Sequence, residues 1–176
     1  VQEMDQVIDR CVETGRFEDQ HITAKNFSYD IAALLRQSVA RLGIGANHIQ
    51  VSAPEGALNI NGDEHLTKTI LDNLLSNAIK YGDPEIPIEV SLELKKAPEQ
   101  QFRVTITNGV GISGAPDPAK LFTKYYREKA ARRTTGSGLG LYLSQGLAEL
   151  MGGHIEYCIE PASNPSTVRF TLCLPA

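Results

Sequence analysis

The chain is short of several things, and each shortage removes a class of function. Its three cysteines, Cys11, Cys158 and Cys173, are odd in number and stand at no metal-ligand spacing. That argues against a disulfide framework or a zinc ribbon. Two of them fall inside apolar strand patterns, so the cysteines are expected as buried thiols in a reducing compartment. Basic side chains are also outnumbered: 17 Lys and Arg against 21 Asp and Glu give a formal net charge of -4. Nucleic-acid binders carry a basic surface, so no nucleic-acid partner is expected. There is no apolar run of membrane-spanning length, no secretory signal, no repeat and no low-complexity tract. The 176 residues suffice for one domain with a substantial core. The first residues sit mid-pattern without a methionine, from which a fragment of a longer protein is expected.

Glycine, in contrast, is concentrated where it can do chemistry. In GSGLGLYLSQGLAELMGG, residues 136–153, Gly136, Gly138 and Gly140 alternate and run into an amphipathic helical pattern. Such glycines let backbone approach an anion and adopt φ > 0. The helix that follows offers unpaired N–H groups and the positive end of its dipole. A second cluster, Asn108-Gly109-Val110-Gly111-Ile112, follows a strand pattern. Upstream, Asp63 caps a helix EHLTKTILDNLLSNAIKYG that closes at Gly82, with Pro84 beyond. Asn73, Asn77 and Lys80 share one face of that helix, while Leu71, Leu74, Leu75, Ala78 and Ile79 build its buried side. Each piece alone reads as a packing contact or a solvated face. Together they point to a phosphate-binding site.

The opening segment places Val1, Met4, Val7 or Ile8 and Cys11 on one helical stripe, which docks on the domain or continues a coiled-coil or bundle helix. Ser28 or Asp30 can cap a helix through Leu42 that ends at Gly43 and Gly45. Strands are expected at 48–52, 57–60, 86–94, 101–107, 154–160 and 167–175 from their alternation and bounding turn residues. Residues 111–137 form a long Gly-, Pro- and charge-rich connection with a short helical piece near Leu121 and Phe122, the kind of loop that is functional or mobile. Mixed element order with hairpin-like strand pairs favours an α+β fold, a two-layer sandwich with helices on one face of a mixed sheet.

From about residue 27 to residue 175 the chain resembles the ATP-binding catalytic domain of bacterial sensor histidine kinases, in the superfamily shared with gyrase, the Hsp90 chaperones and MutL. LDNLLSNAIKYG at 71–82 looks like the N box, TNGVGI at 107–112 like the first glycine box, LFTKYYR at 121–127 like the F box and GSGLGL at 136–141 like the second glycine box. The resemblance implies Mg·ATP as cofactor, with Asn77 as the Mg²⁺ ligand, Lys80 and Arg127 on the phosphates and Tyr81 near the base. Thr107, Asn108, Gly109, Gly111, Gly136, Gly138, Leu139 and Gly140 complete the implied nucleotide site, and Lys129, Arg132 and Arg133 are lid charges. Asn73 stands where the superfamily's ATP hydrolases carry a glutamate; an amide cannot take a proton from water, which favours phosphoryl transfer over hydrolysis.

The first glycine box departs from the family. Thr107 takes the place of the Asp that accepts from adenine's amine, and the neighbouring Asn108 is the residue able to compensate. The family's phosphoacceptor motif is absent around His21, His48, His65 and His154. Residues 1–20 are therefore expected as the end of a dimerisation and phosphotransfer helix, and 21–176 as the catalytic domain. The implied partners are a histidine-containing phosphotransfer domain and, through it, a response regulator, in a homodimeric parent anchored in the inner membrane with this domain in the cytoplasm. The alternative is a degenerate kinase-like domain that regulates by binding.

Overall fold

The computed structural model describes residues 11–19, 21–43, 48–96, 100–127, 136–160 and 166–176. Residues 11–18 are helical (α1). Then follow β1 (Phe27–Asp30), α2 (Ile31–Ala40), β2 (Ile49–Ser52), β3 (Asn59–Gly62), α3 (Glu64–Tyr81), β4 (Ile88–Lys95), β5 (Gln101–Gly109), α4 (Gly140–Leu150), β6 (His154–Glu160) and β7 (Thr167–Pro175). The main sheet runs β2-β4-β5-β7-β6. Its β2–β4 pair is parallel and its other pairs are antiparallel.

Strict alternation makes the sheet two-sided. Val90 and Leu92 of β4, Phe102, Val104 and Ile106 of β5, and Phe170, Leu172 and Leu174 of β7 are buried toward the helices. The intervening Arg103, Thr105 and Arg169 lie on the opposite, more open face. Over the apolar face, α3 contributes Leu66, Ile70, Leu71, Leu74, Leu75 and Ala78, a helical stripe that is buried along its whole length. Each fully buried Leu or Ile is worth about 1.5–3 kcal/mol relative to exposure, so this stripe anchors the helical layer. The arrangement is the expected α+β sandwich with helices on one face of a mixed sheet.

Three local expectations are corrected. Residues 27–30 form a strand, β1, which pairs antiparallel with β3 in a separate two-stranded ribbon. Asp30 rather than Ser28 is therefore the cap of α2, and its Oδ1 accepts from the N–H groups of Ala32 and Ala33 and from Leu58 across the ribbon. Of the cysteines only Cys173 is buried; Cys11 and Cys158 are exposed. Cys158 lies on the edge strand β6, where an apolar-looking pattern is covered on one side only. In α1, the stripe does not dock through Cys11. Thr14 is buried, and Phe17 seats on Gly146 of α4, where any Cβ would collide with its ring. Residues 1–10 and the lid charges Lys129, Arg132 and Arg133 lie outside the described residues.

The Leu58 N–H, and against some desolvation those of Ala33 and Ala32, hold the Asp30 carboxyl below its usual value. A depressed carboxyl contributes its stability above the unfolded value and loses it as pH falls through the folded one. We expect Asp30→Ala to lower unfolding stability at neutral pH by about 1–2 kcal/mol. The gap between variant and parent should narrow as pH falls below about 4. Urea melts at two pH values measure both.

Candidate functional site

A cleft opens where the C-terminal half of α3, the end of β5, the 113–127 segment and the glycine-rich entry to α4 converge. It is an open cleft in which a few polar side chains are set in a largely apolar lining, the form small-molecule sites take. Val168 and Phe170 from β7 form an apolar floor, and Asn77, Lys80 and Tyr81 line one side. Asn77 and Tyr81 are one helical turn apart, and Lys80 follows Asn77 by three residues, which is why α3 presents all three together. Arg127 and Tyr126 enter from the far wall. The Tyr126 hydroxyl accepts from the Asp117 N–H at 3.0 Å and so closes the connecting segment on itself.

Gly136, Gly138 and Gly140 all line the cleft, two of them under backbone constraint. Gly138 has φ +69, and a Cβ there would lie 2.8 Å from the Tyr125 carbonyl carbon. Tyr125, itself at φ 63, donates its N–H to the Gly138 carbonyl at 3.0 Å. Gly140 begins α4 in direct contact with the Asn73 side chain, leaving no space for a Cβ. The helix entry has no side-chain cap and no acid in its first turn. Among the described residues no side chain caps its first N–H groups, which with the positive end of its dipole sit at the cleft, the arrangement that binds anions.

Eight of the residues expected from the sequence therefore meet at one cleft: Asn77, Lys80, Tyr81, Asn108, Arg127, Gly136, Gly138 and Gly140. The other five are placed elsewhere. Asn73 is buried and donates from Nδ2 to Ser144 Oγ at 2.8 Å, so it joins α3 to α4 instead of facing the cleft. Gly109 and Gly111 pack on Ile86 and on the Tyr81 carbonyl, and Leu139 is buried in the core. Thr107 lies on the opposite face of the sheet with Glu89 and Arg169. The cause is the two-residue period of β5. Ile106 faces the helices, so Thr107 must face away and Asn108 must face in. Asn108 is 4% exposed, and its Nδ2 donates to the Gly109 carbonyl at 2.8 Å. Counting back from the glycines selects Thr107; counting the strand's alternation selects Asn108.

Sequence reasoning missed the floor residues Val168 and Phe170. Their alternation marked a strand, but nothing local showed that β7 runs beside β5 beneath the glycine loop. It also missed the tie between α1 and the cleft wall. Glu18 accepts from Lys124 Nζ at 2.7 Å and from the Tyr142 hydroxyl at 3.1 Å, and the Lys124 hydrogen bond holds the Glu18 carboxyl below its usual range. Among the described residues no helix is long and apolar enough to cross a membrane.

Residues 62–176 match the family described as histidine kinase-, DNA gyrase B- and HSP90-like ATPase. The chain is 29% identical over 175 residues to the sensor-like histidine kinase SenX3 of Mycolicibacterium smegmatis, covering 96% of this chain and 44% of that protein. It is 31% identical over 149 residues to two-component system protein A of Emericella nidulans, covering 80% of this chain and 21% of that one. It thus spans less than half the length of these relatives. Among solved structures, the Acinetobacter baumannii histidine kinase AdeS superposes with TM-score 0.75 at 16% identity, over 99% of this chain and 79% of that one. Full-length ShkA in complex with AMPPNP superposes with TM-score 0.74 at 22% identity, over 97% and 35%. At such identities these two likenesses establish the fold.

We expect Gly138→Ala to destabilise the glycine loop, because alanine adds a left-handed backbone penalty of about 1–2 kcal/mol to a collision with the Tyr125 backbone. Thermal melting of the variant should show the loss. An unchanged midpoint would mean that the loop does not hold this conformation in solution.

Proposed function

The chain belongs to the histidine kinase-, DNA gyrase B- and HSP90-like ATPase family, and on that premise we propose that its cleft binds Mg·ATP and presents the γ-phosphoryl group to a histidine outside these residues. The observation that carries this reading is the convergence of an uncapped helix entry, the cations Lys80 and Arg127, and an apolar floor in one cleft. Anionic phosphates fit the first two and a planar base fits the third. Asn77 would supply a hard oxygen ligand to Mg²⁺. That ion would spread the charge developing on the phosphoryl oxygens.

This chain's own part is positioning. The N–H groups of α4 and the Arg127 guanidinium hold the phosphate chain from one side, and Lys80 approaches it as a point charge. Asn73, buried against Ser144 and Gly140, offers no base to a water molecule. This favours transfer to an external imidazole, which is already a nucleophile, over hydrolysis. On this reading the acceptor sits on a dimerisation and phosphotransfer domain of a longer, homodimeric sensor kinase that signals to a response regulator. The domain would then work on the cytoplasmic side of a membrane-anchored parent.

Asn108, on the buried face of β5, is our candidate for the base contact in place of an acid. A carboxylate only accepts, whereas an amide both accepts and donates. With one Nδ2 hydrogen held by the Gly109 carbonyl, Asn108 keeps an acceptor and one donor, a pattern that serves adenine or guanine. The same neutral side chain favours a second reading, a kinase-like regulatory domain with weak nucleotide affinity. Calorimetric titration with and without Mg²⁺ separates the two. No binding at millimolar nucleotide would sink the first.

We expect Asn77→Ala to abolish the Mg²⁺ dependence of ATP binding, at a cost of about 1.5–3 kcal/mol, tenfold to hundredfold in affinity. Asn108→Asp should shift the ATP-to-GTP affinity ratio about tenfold toward ATP, since a carboxylate repels guanine's carbonyl oxygen. Thr107→Asp, across the sheet, should leave that ratio unchanged; a shift there and none at 108 would reverse the assignment. Labelled ATP alone should leave the 176 residues unphosphorylated, and acid-labile label on any of their histidines would contradict an external acceptor.

A further inference from the structure

The sheet face turned away from the helices holds side chains that the nucleotide cleft does not use. Across four strands the register sets Glu93 beside Arg103, Arg103 beside Cys173 and Cys173 beside His154. Glu156 follows His154 by two residues on β6 and so projects from the same face. The imidazole, the carboxylate and the thiol each bring one ligand atom, and the three atoms lie within 4.8 Å of one another. His154 Nε2 is 3.5 Å from Glu156 Oε1. Glu156 Oε2 accepts from Arg103 at 2.6 Å, and Arg103 Nε also lies 3.7 Å from Glu93. One carboxylate oxygen is thereby pinned and the other is turned toward the imidazole.

We propose that His154, Glu156 and Cys173 form a binding site for a divalent transition-metal ion of the zinc type, with solvent as fourth ligand. The donor set selects the class. Sulfur and imidazole nitrogen suit zinc and its neighbours, whereas Mg²⁺ demands oxygen ligands in octahedral array. Cys173 is 1% exposed while the His154 and Glu156 side chains are 46% and 47% exposed. An ion arriving from solvent therefore meets nitrogen and oxygen first and closes on the sulfur beneath. Arg103 acts as the outer partner that orients the ligating carboxylate. Its positive charge is outnumbered by Glu156 and Glu93. On binding, the Cys173 S–H bond breaks, its proton passes to solvent, and a sulfur–metal bond forms; no electron is transferred. The ion would cross-link the edge strand β6 to β7 and so stabilise the sheet by mass action. Local spacing cannot reveal such a site, because its ligands come from two paired strands.

The test uses the full chain with Cys11→Ser and Cys158→Ser, so that Cys173 is its single thiol. After chelation, cobalt(II) is titrated as a spectroscopic stand-in and zinc(II) is then added. The proposal expects one cobalt per chain, a thiolate-to-cobalt charge-transfer band with four-coordinate visible bands, and bleaching by zinc but not by magnesium. Cys173→Ser should remove the charge-transfer band. His154→Gln, at a half-exposed position that leaves the fold intact, should weaken zinc binding at least about tenfold. Absence of the band in the parent, or its survival in both variants, overturns the site. Nucleotide binding is untouched by either outcome.

Discussion

The contact between Asn73 and the start of α4 is the constraint on which the cleft depends. Asn73 Nδ2 donates to Ser144 Oγ at 2.8 Å, while its Oδ1 lies against the Cα of Gly140 so closely that no side chain could stand there. One buried amide therefore fixes both the separation and the rotation of α3 relative to α4. Asn77, Lys80 and Tyr81 ride on the first helix, and the glycine loop and uncapped N–H groups on the second. Losing that bond would leave Nδ2 unpaired beside an Oδ1 that is already buried without a partner among the described residues, and an unmade buried hydrogen bond costs about 1–3 kcal/mol. The glycine at 140 and the asparagine at 73 are thus one feature, seen in the sequence as two.

The base side of the cleft is set by a different constraint, the parity of β5. Phe102, Val104 and Ile106 face the helices, and the strand continues without a bulge through Asn108, which pairs with Val168 in unbroken register. Parity leaves no freedom at the end of the strand: Thr107 must join Arg169 on the far face. A single-residue shift of register would exchange the two residues and bury Arg103 as well. The cost of that buried charge is what holds the assignment in place.

Much of this was legible from residue order alone. Long periodic elements such as α3, with Asp63 at its start and Gly82 at its end, were bounded correctly because cap, stripe and terminator agree. The glycine loop was legible because its residues and the helix they serve are contiguous. What could not be read depends on pairing between distant segments. β1 and β3 are four residues each and pair antiparallel although α2 and β2 lie between them in the chain. The floor at Val168 and Phe170 requires knowing that β7 lies beside β5. Counting from the glycines, which measures distance along the chain, selects Thr107, whereas the face of a strand is decided by alternation. Cys158 shows the same limit: an apolar neighbourhood in sequence is half exposed on an edge strand.

The entry helix shows how weak contacts combine. The Glu18–Lys124 pair lies at the surface, where an isolated ion pair contributes little and is screened by salt. Phe17 beside it packs edge-on to Tyr142 with centroids 6.4 Å apart and seats on Gly146, a contact that salt does not screen. The aromatic contact therefore supplies the attachment, and the ion pair supplies its direction. Because Lys124 precedes Tyr125, whose N–H is bound by the Gly138 carbonyl, α1 is joined through two residues to the glycine loop. A change in the position of α1 would act on the glycine loop through Lys124 and Tyr125, and on Asn73 through α4, which Phe17 touches at Gly146.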